Sequence, residues 1–397
     1  MKTVCVVTGT RAEYGLLKPV IDRINRDVEL ELYLIATGAH LSPEFGLTYK
    51  EIENDGYFIN KKIEMLLSAD TPGSIVKSMG VEMIGFADVF TEAHPDMVVI
   101  LGDRYEMLVA AAVAMIHRIP IAHIHGGETT EGAVDEAVRH AITKMSYLHF
   151  AATEAYRSRI IQLGESPERV FNVGALGVEN IRTVKLLDKE VLEESIGFRL
   201  EENTALVTYH PVTLEKESSA EQFGNLLRVL ESRAEWNIIF TKANSDTDGR
   251  IINQMIDEFV AGHKDRSRAY TSLGQIRYLS AVRYCSMVIG NSSSGIVEVP
   301  SFHIPTVDIG DRQRGRISSG SVVHCGTSVE EISNAMDKAM QADFRQCIKH
   351  ERNPYERENT SVEIVSTIKR FLRDGIDIKK RFHDLHIGKA IETEIQH

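Results

Sequence analysis

The residues best suited to chemistry sit where strand-like apolar runs end. Ile289-Gly290-Asn291-Ser292-Ser293-Ser294-Gly295-Ile296-Val297-Glu298 reads as a strand, a small-residue turn and a helix start. Its free backbone N–H groups and three hydroxyls suit a diphosphate, with a serine N-cap that holds no ligand as the alternative. The strand after it runs into Gly310-Asp311-Arg312-Gln313-Arg314-Gly315-Arg316, three arginines within five positions. Beside the serine loop, such a turn is better suited to clamping phosphate than to sitting in solvent.

A second group of loops lies in the first half of the chain. Leu101-Gly102-Asp103-Arg104-Tyr105-Glu106 sets a carboxylate and a guanidinium together at a strand end, as a site or as a structural ion pair. His123-Ile124-His125-Gly126-Gly127-Glu128 places two imidazoles on one face of an extended chain, and its paired glycines allow a ligand to approach the backbone. An H-x-H pair also suits a metal, but no second set of ligands accompanies it, so no metal is expected. Asp135 and Glu136 open a helix, where acids favour the dipole. That explanation covers Glu136, whereas the closeness of Asp135 to the histidine loop assigns it to the site. Tyr209-His210-Pro211 leaves His210 at another strand end, where proline stops the pairing. The first strand ends in Thr8-Gly9-Thr10-Arg11-Ala12-Glu13-Tyr14-Gly15, which has neither dinucleotide-binding nor P-loop spacing and offers one cation, Arg11, to an anion.

Two series of short strands alternating with amphipathic helices must position these loops. The first series is Thr3 to Val7, Leu32 to Ala36, Met97 to Leu101, Ile119 to Ile124 and Leu148 to Ala151. The second is Ala205 to Tyr209, Asn237 to Thr241, Ser286 to Ile289, Pro305 to Ile309 and Val322 to His324. This alternation predicts an α/β protein of two parallel sheets, with one domain over 1–175 and another over 190–355. The helix at about 360–380 is expected to pack back on the first domain, and the charged tail after Arg373 to be loosely held. Ile75, Met79, Met83, Phe86 and Phe90 form a helical stripe read as core. That helix is equally a plausible oligomer contact.

A chain of 397 residues, 43% hydrophobic, is long enough for two cores, and its net charge of -12 argues against nucleic acid as a partner. Four scattered cysteines suggest neither zinc nor disulfides, and no apolar run reaches the roughly 20 residues of a membrane helix. With no leader-like start, the expected location is the cytoplasm.

Taken together and in order, Gly9 to Gly15, Gly102-Asp103-Arg104, His123 to Glu128, Arg139 to Lys144, His210-Pro211, Gly290 to Glu298 and Gly310 to Arg316 closely resemble the hydrolysing UDP-N-acetylglucosamine 2-epimerases of bacterial sialic acid synthesis. The resemblance covers nearly the whole chain. It implies a GT-B arrangement, two Rossmann-like domains with a cleft between them, no cofactor, a nucleotide-sugar as the small-molecule partner, and a homodimer or homotetramer. It implies conversion of UDP-N-acetylglucosamine and water to N-acetylmannosamine and UDP. Alternatives are the same chemistry on UDP-N,N'-diacetylbacillosamine or a GDP counterpart, and a GT-B glycosyltransferase. By position it places Arg11, Ser293, Glu298 and Arg312 on nucleotide and phosphate contacts. Arg104, Arg139, Asn244, Ser292, Ser294 and Gly295 join them as candidate substrate contacts. Asp103, Asp135 and His210 fall on catalytic positions. Where animal and non-hydrolysing relatives carry glutamate this chain has His125, which makes Glu128 a candidate substitute beside it; the lysine of non-hydrolysing relatives falls on Leu16, and Lys18 stands two residues on.

Overall fold

A computed structural model describes residues 1–69, 71–131, 133–212, 218–243 and 249–385. The first half of the chain forms β1 (Lys2–Thr8), β2 (Leu30–Thr37), β3 (Lys61–Ile63), β4 (Met97–Leu101), β5 (Ile121–Ile124), β6 (Leu148–Ala151) and β7 (Val170–Asn172). They make one parallel sheet in the order β3-β2-β1-β4-β5-β6-β7. The second half forms β8 (Thr204–Thr208), β9 (Asn237–Thr241), β10 (Ser267–Tyr270), β11 (Met287–Gly290), β12 (Thr306–Ile309) and β13 (Val322–Cys325). These pair in parallel in the order β10-β9-β8-β11-β12-β13. Helices cover both faces of each sheet, so central strands such as Val4 to Val7 and Met97 to Ile100 are buried on both sides and read as unbroken apolar runs. β3, β7 and β10 are short edge strands of three or four residues, too brief to show a period in sequence.

The helix Thr360–Asp374 returns to the first sheet, where Ile364, Val365, Ile368 and Leu372 join a core with Leu17, Val20, Ile21 and Ile24. The segment that follows it is anchored at Lys380, whereas a loosely held charged tail is expected from sequence. Lys380 donates to the carbonyls of Lys144 and Ser146 at 2.9 and 2.6 Å and pairs with the buried Glu165 at 2.6 Å. Burial pushes the Glu165 carboxyl up, but His149, Lys144 and Lys380 outweigh it and hold the group down to about 2. A run of charge reads as solvated until its counter-ion, here more than 200 residues away, comes into view.

The helix Pro72–Ala93 also departs from expectation. Of its stripe, Phe86 and Phe90 are buried and Met79 packs half-buried on the same core, whereas Met83 is exposed, as are Val76 and Ile84 beside it. Among the described residues no helix is long and apolar enough to cross a membrane.

Candidate active site

In each sheet the strand order reverses once, between β1 and β4 in the first and between β8 and β11 in the second. A crevice opens beyond the carboxyl ends of the strands at such points, and the loops with chemistry-bearing residues are the ones that flank them. Thr8 to Gly15 and Gly102 to Arg104 follow β1 and β4; Tyr209 to Pro211 and Asn291 to Ser294 follow β8 and β11.

Asn291 ties the second pair of loops together. It is wholly buried; its Oδ1 accepts from the His210 N–H at 2.7 Å and its Nδ2 donates to the His210 carbonyl at 2.8 Å. Its own carbonyl accepts from Arg312 Nη1 at 2.9 Å and Gln313 Nε2 at 2.8 Å. Sequence reading placed Asn291 in the loop but missed this role, which depends on contacts 21 and 81 residues away. Ser292 caps the short helix Ser293–Val297, and Ser294 Oγ accepts from Tyr278 at 2.9 Å. Ser292, Ser293, Ser294, Glu298 and His210 line a cavity whose opposite wall is Thr10, Arg11 and Gly15 from the first half. Burial pushes the Glu298 carboxyl up, against the pull of Ser294 and Arg316. Gly295 does not face this cavity; its backbone packs on β12, where a Cβ would meet Thr306 Cγ2 at 2.8 Å. Asn244 lies outside the described residues.

Next to this cavity the first half builds a charged cluster around Arg139, which is completely buried on the helix Asp135–Met145. Its guanidinium bonds to Asp103 Oδ2, to Glu136 Oε2 at 2.9 Å, to the Glu128 carbonyl at 3.0 Å and to Thr130 Oγ1 at 3.0 Å. Arg139 therefore positions Asp103 and has no surface left for a substrate. Glu136, ascribed from sequence to the helix dipole, is a clasp that also accepts from Thr130 N–H at 2.6 Å. Burial raises the Asp103 carboxyl, but Arg139, Arg316 and Arg312 together hold it below its ordinary value. Two of those three cations belong to the second half. Through Arg312 and Asn291 the Asp103 cluster and the serine loop are parts of one contiguous region.

The two histidines of the H-x-H run do different jobs. His123 is buried in β5; its Nε2–H donates to the Gly102 carbonyl at 2.7 Å, and burial brings the ring down to about 3. It supports the turn that carries Asp103. His125 lies just past the strand with φ 65°, a backbone state uncommon outside glycine, so the alternation that would put both rings on one face is broken. Its buried Nε2 has no partner among the described residues, while Nδ1 is 3.9 Å from Glu128 Oε1. Glu128 gives its other oxygen to Arg316 at 2.8 Å. The three-arginine clamp expected from sequence is thus divided: Arg312 holds Asn291, Arg316 holds Glu128, and the mostly exposed Arg314 pairs with Asp311 at 3.2 Å. Asp135 is half-buried at the start of its helix.

Beneath the first loop lies a carboxyl cluster that was not read from sequence as a unit. Arg104 donates to both oxygens of the buried Glu106 at 3.2 Å and lies 4.0 Å from Glu13 Oε1, so its guanidinium is turned into this cluster rather than lining the cavity. Glu13 Oε2 accepts from the Gly9 and Thr10 N–H groups at 2.7 and 3.2 Å, which fixes the loop that carries Arg11. Burial, then Glu106, push Glu13 up to about 7. Thr37 Oγ1 contacts the Ile63 carbonyl at 2.9 Å and Glu82 Oε1 at 2.8 Å. Its one hydrogen is shared between these two acceptors, and burial, then Glu106, push the Glu82 carboxyl well up.

A profile of the family described as UDP-N-acetylglucosamine 2-epimerase matches residues 22–369. The chain is 43% identical over 345 residues to a GDP/UDP-N,N'-diacetylbacillosamine 2-epimerase (hydrolyzing) of Campylobacter jejuni, covering 87% of this chain and 89% of that one. It is 38% identical over 341 residues to a UDP-N,N'-diacetylbacillosamine 2-epimerase (hydrolyzing) of Legionella pneumophila, covering 86% and 89%. In fold it is similar to the crystal structure of UDP-GlcNAc 2-epimerase from Neisseria meningitidis bound to UDP-GlcNAc, with TM-score 0.78, 17% identity, and coverage of 94% of this chain and all of that one. The architecture is GT-B-like.

Proposed function

Because the chain belongs to the UDP-N-acetylglucosamine 2-epimerase family, we propose that it is a hydrolysing 2-epimerase that releases UDP and a free 2-epimeric acetamido sugar, and that UDP-N,N'-diacetylbacillosamine is its preferred substrate. The observation that carries the substrate is the likeness, at 43% and 38% identity, to two enzymes named for that sugar. UDP-N-acetylglucosamine is the second reading, favoured by the family's own description.

Carbon 2 of such a sugar is not next to a carbonyl, so its proton cannot be removed before the diphosphate begins to leave. The C1–O bond breaks, UDP departs with the electron pair, the C2 proton is lost, and a C1–C2 double bond forms. Water then adds its hydroxyl at C1, and a proton enters C2 from the opposite face. Arg11, Arg312 and the serine loop are assigned to the UDP, and positive charge at C1 to neighbouring carboxylates. Asp103, Glu128, Asp135, His125 and His210 are the groups proposed for proton transfer on the two faces. The grouping of the Asp103 cluster next to the cavity lined by Ser293 supports this division of work.

The test is turnover of both UDP sugars in deuterium oxide, followed by NMR. Free sugar inverted at C2 and carrying deuterium there is expected, with faster release of UDP from the diacetamido substrate. Product without deuterium at C2, or an epimer still joined to UDP, would refute the route; a clear preference for UDP-N-acetylglucosamine would overturn the substrate.

A further inference from the structure

Arg316 reaches across from the second half of the molecule into the loop after β5. Its Nη2 pairs with Glu128 Oε2 at 2.8 Å and its Nε donates to the Thr129 carbonyl at 3.1 Å, with only 7% of the side chain exposed. The backbone on either side is fixed. Gly315, at φ 82°, lies so near the facing loop that a Cβ would come within 3.0 Å of Thr129 Oγ1. Ile317 closes a ring of hydrogen bonds: its N–H donates to Tyr156 Oη at 3.0 Å, and its carbonyl accepts from Tyr355 Oη at 2.7 Å. The tyrosine oxygens are 2.9 Å apart, and since the Tyr355 hydrogen is already spent on Ile317, Tyr156 donates to Tyr355. Every donor and acceptor in the ring is used, which leaves Arg316 anchored independently of any ligand.

We propose that Arg316 is a positioning residue for the reaction: it fixes Glu128 across the cleft, so that the free oxygen of Glu128 stays turned to His125 and this proton-transfer corner is complete only when the two halves are together. The proposal rests on the epimerase reading above. It gives Arg316 a role distinct from that of Arg312, which is tied to the serine loop. The groups facing His125 are Glu128, Arg316, Asp103 and Arg139; after burial, which lowers its basicity most, Arg316 and Arg139 lower it further, while Glu128 and Asp103 raise it.

The experiment compares wild type with Arg316→Gln in steady-state kinetics, pH profiles and UDP binding by calorimetry. The expected result is a kcat lower by about 100-fold, the scale of a small misplacement of a catalytic group, with KM and the Kd for UDP little changed. The pH limb belonging to His125 should move to higher pH, because a cation that opposed its protonation is gone, and added guanidinium should restore part of kcat. An unchanged kcat and pH profile would overturn the proposal. So would a loss confined to KM and UDP affinity, which would make Arg316 a phosphate ligand instead. If Arg316→Gln does not fold, Arg316→Lys serves: an ammonium cannot make both bonds, so kcat should fall by about 10-fold at constant UDP affinity, and wild-type kcat would count against the role. Failure of the wild-type protein itself to release UDP from either sugar would instead refute the epimerase reading.

Discussion

Asp103 and Glu82 are both carboxyls in the first half, and their surroundings drive them in opposite directions. Asp103 is pushed up by burial but meets three guanidiniums, which keep it charged. Glu82 is fully buried, faces other acids, and accepts from the Thr37 hydroxyl. For Asp103→Asn we expect kcat to fall about a thousandfold, as for loss of a proton-transfer group, with UDP binding by calorimetry preserved. Full activity in that variant would remove Asp103 from the reaction. For Glu82→Gln we expect a cost below about 1 kcal/mol, since the amide oxygen can still accept from Thr37. The pH dependence has a definite sign. Glu82 holds its proton more tightly folded than unfolded, so its contribution is full below the ordinary carboxyl value and is lost as pH rises through its raised value. The amide has no such proton, so urea midpoints of Glu82→Gln should fall less on the alkaline side than those of wild type. A steeper alkaline loss in the variant would show that Glu82 is ionised.

At the scale of elements, the strands are regular and the loops at their carboxyl ends are locked by a few buried polar side chains. Asn291 locks the loops after β8, β11 and β12 together. The Tyr156, Tyr355 and Ile317 ring locks the segment that follows Arg316. Tyr355→Phe removes the hydrogen that the Ile317 carbonyl accepts and the oxygen that Tyr156 donates to. Urea unfolding should show a loss of about 1–3 kcal/mol, the usual cost of stranded buried polar groups. Activity should fall as well, because the same ring seats Arg316. A variant as stable and active as wild type would mean that water replaces the hydroxyl without consequence.

The whole molecule brings two sheets of like topology together so that their reversal points face one cavity. A ligand held by both halves stabilises both against unfolding. At a UDP concentration about 100 times its Kd, the gain should be about 2.7 kcal/mol, appearing in the first transition, because unfolding of either half releases the ligand. Intrinsic fluorescence of Trp236, in the second core, together with far-UV circular dichroism of the entire chain, would report it. A first transition unmoved by saturating UDP would show that UDP is not held between the halves. The net charge of -12 is compatible with an anionic substrate because the cations that matter are gathered locally. Arg11 stands at the cavity wall, while Arg312, Arg316 and Arg139 surround Asp103.

The alternation of apolar runs with amphipathic segments by itself determined two parallel sheets and the order of their central strands' loops, because burial on both faces leaves an unmistakable pattern over five residues. Glycine, serine and arginine at strand ends marked the loops that the fold gathers at the two reversal points, since few other residue types suit an anion at a helix start. Three of the four edge strands, β3, β7 and β10, left no such pattern. What each charged side chain faces was decided only by tertiary structure. Arg139 and Arg104 look as available in sequence as Arg312, yet the first two are spent on carboxyls of the first half; Glu136, ascribed to the helix dipole, clasps Arg139; the tail lysine Lys380 finds Glu165. The physical reason is range: hydrophobic patterning is written into neighbouring residues, whereas an ion pair joins positions tens to hundreds of residues apart and leaves no trace in either neighbourhood.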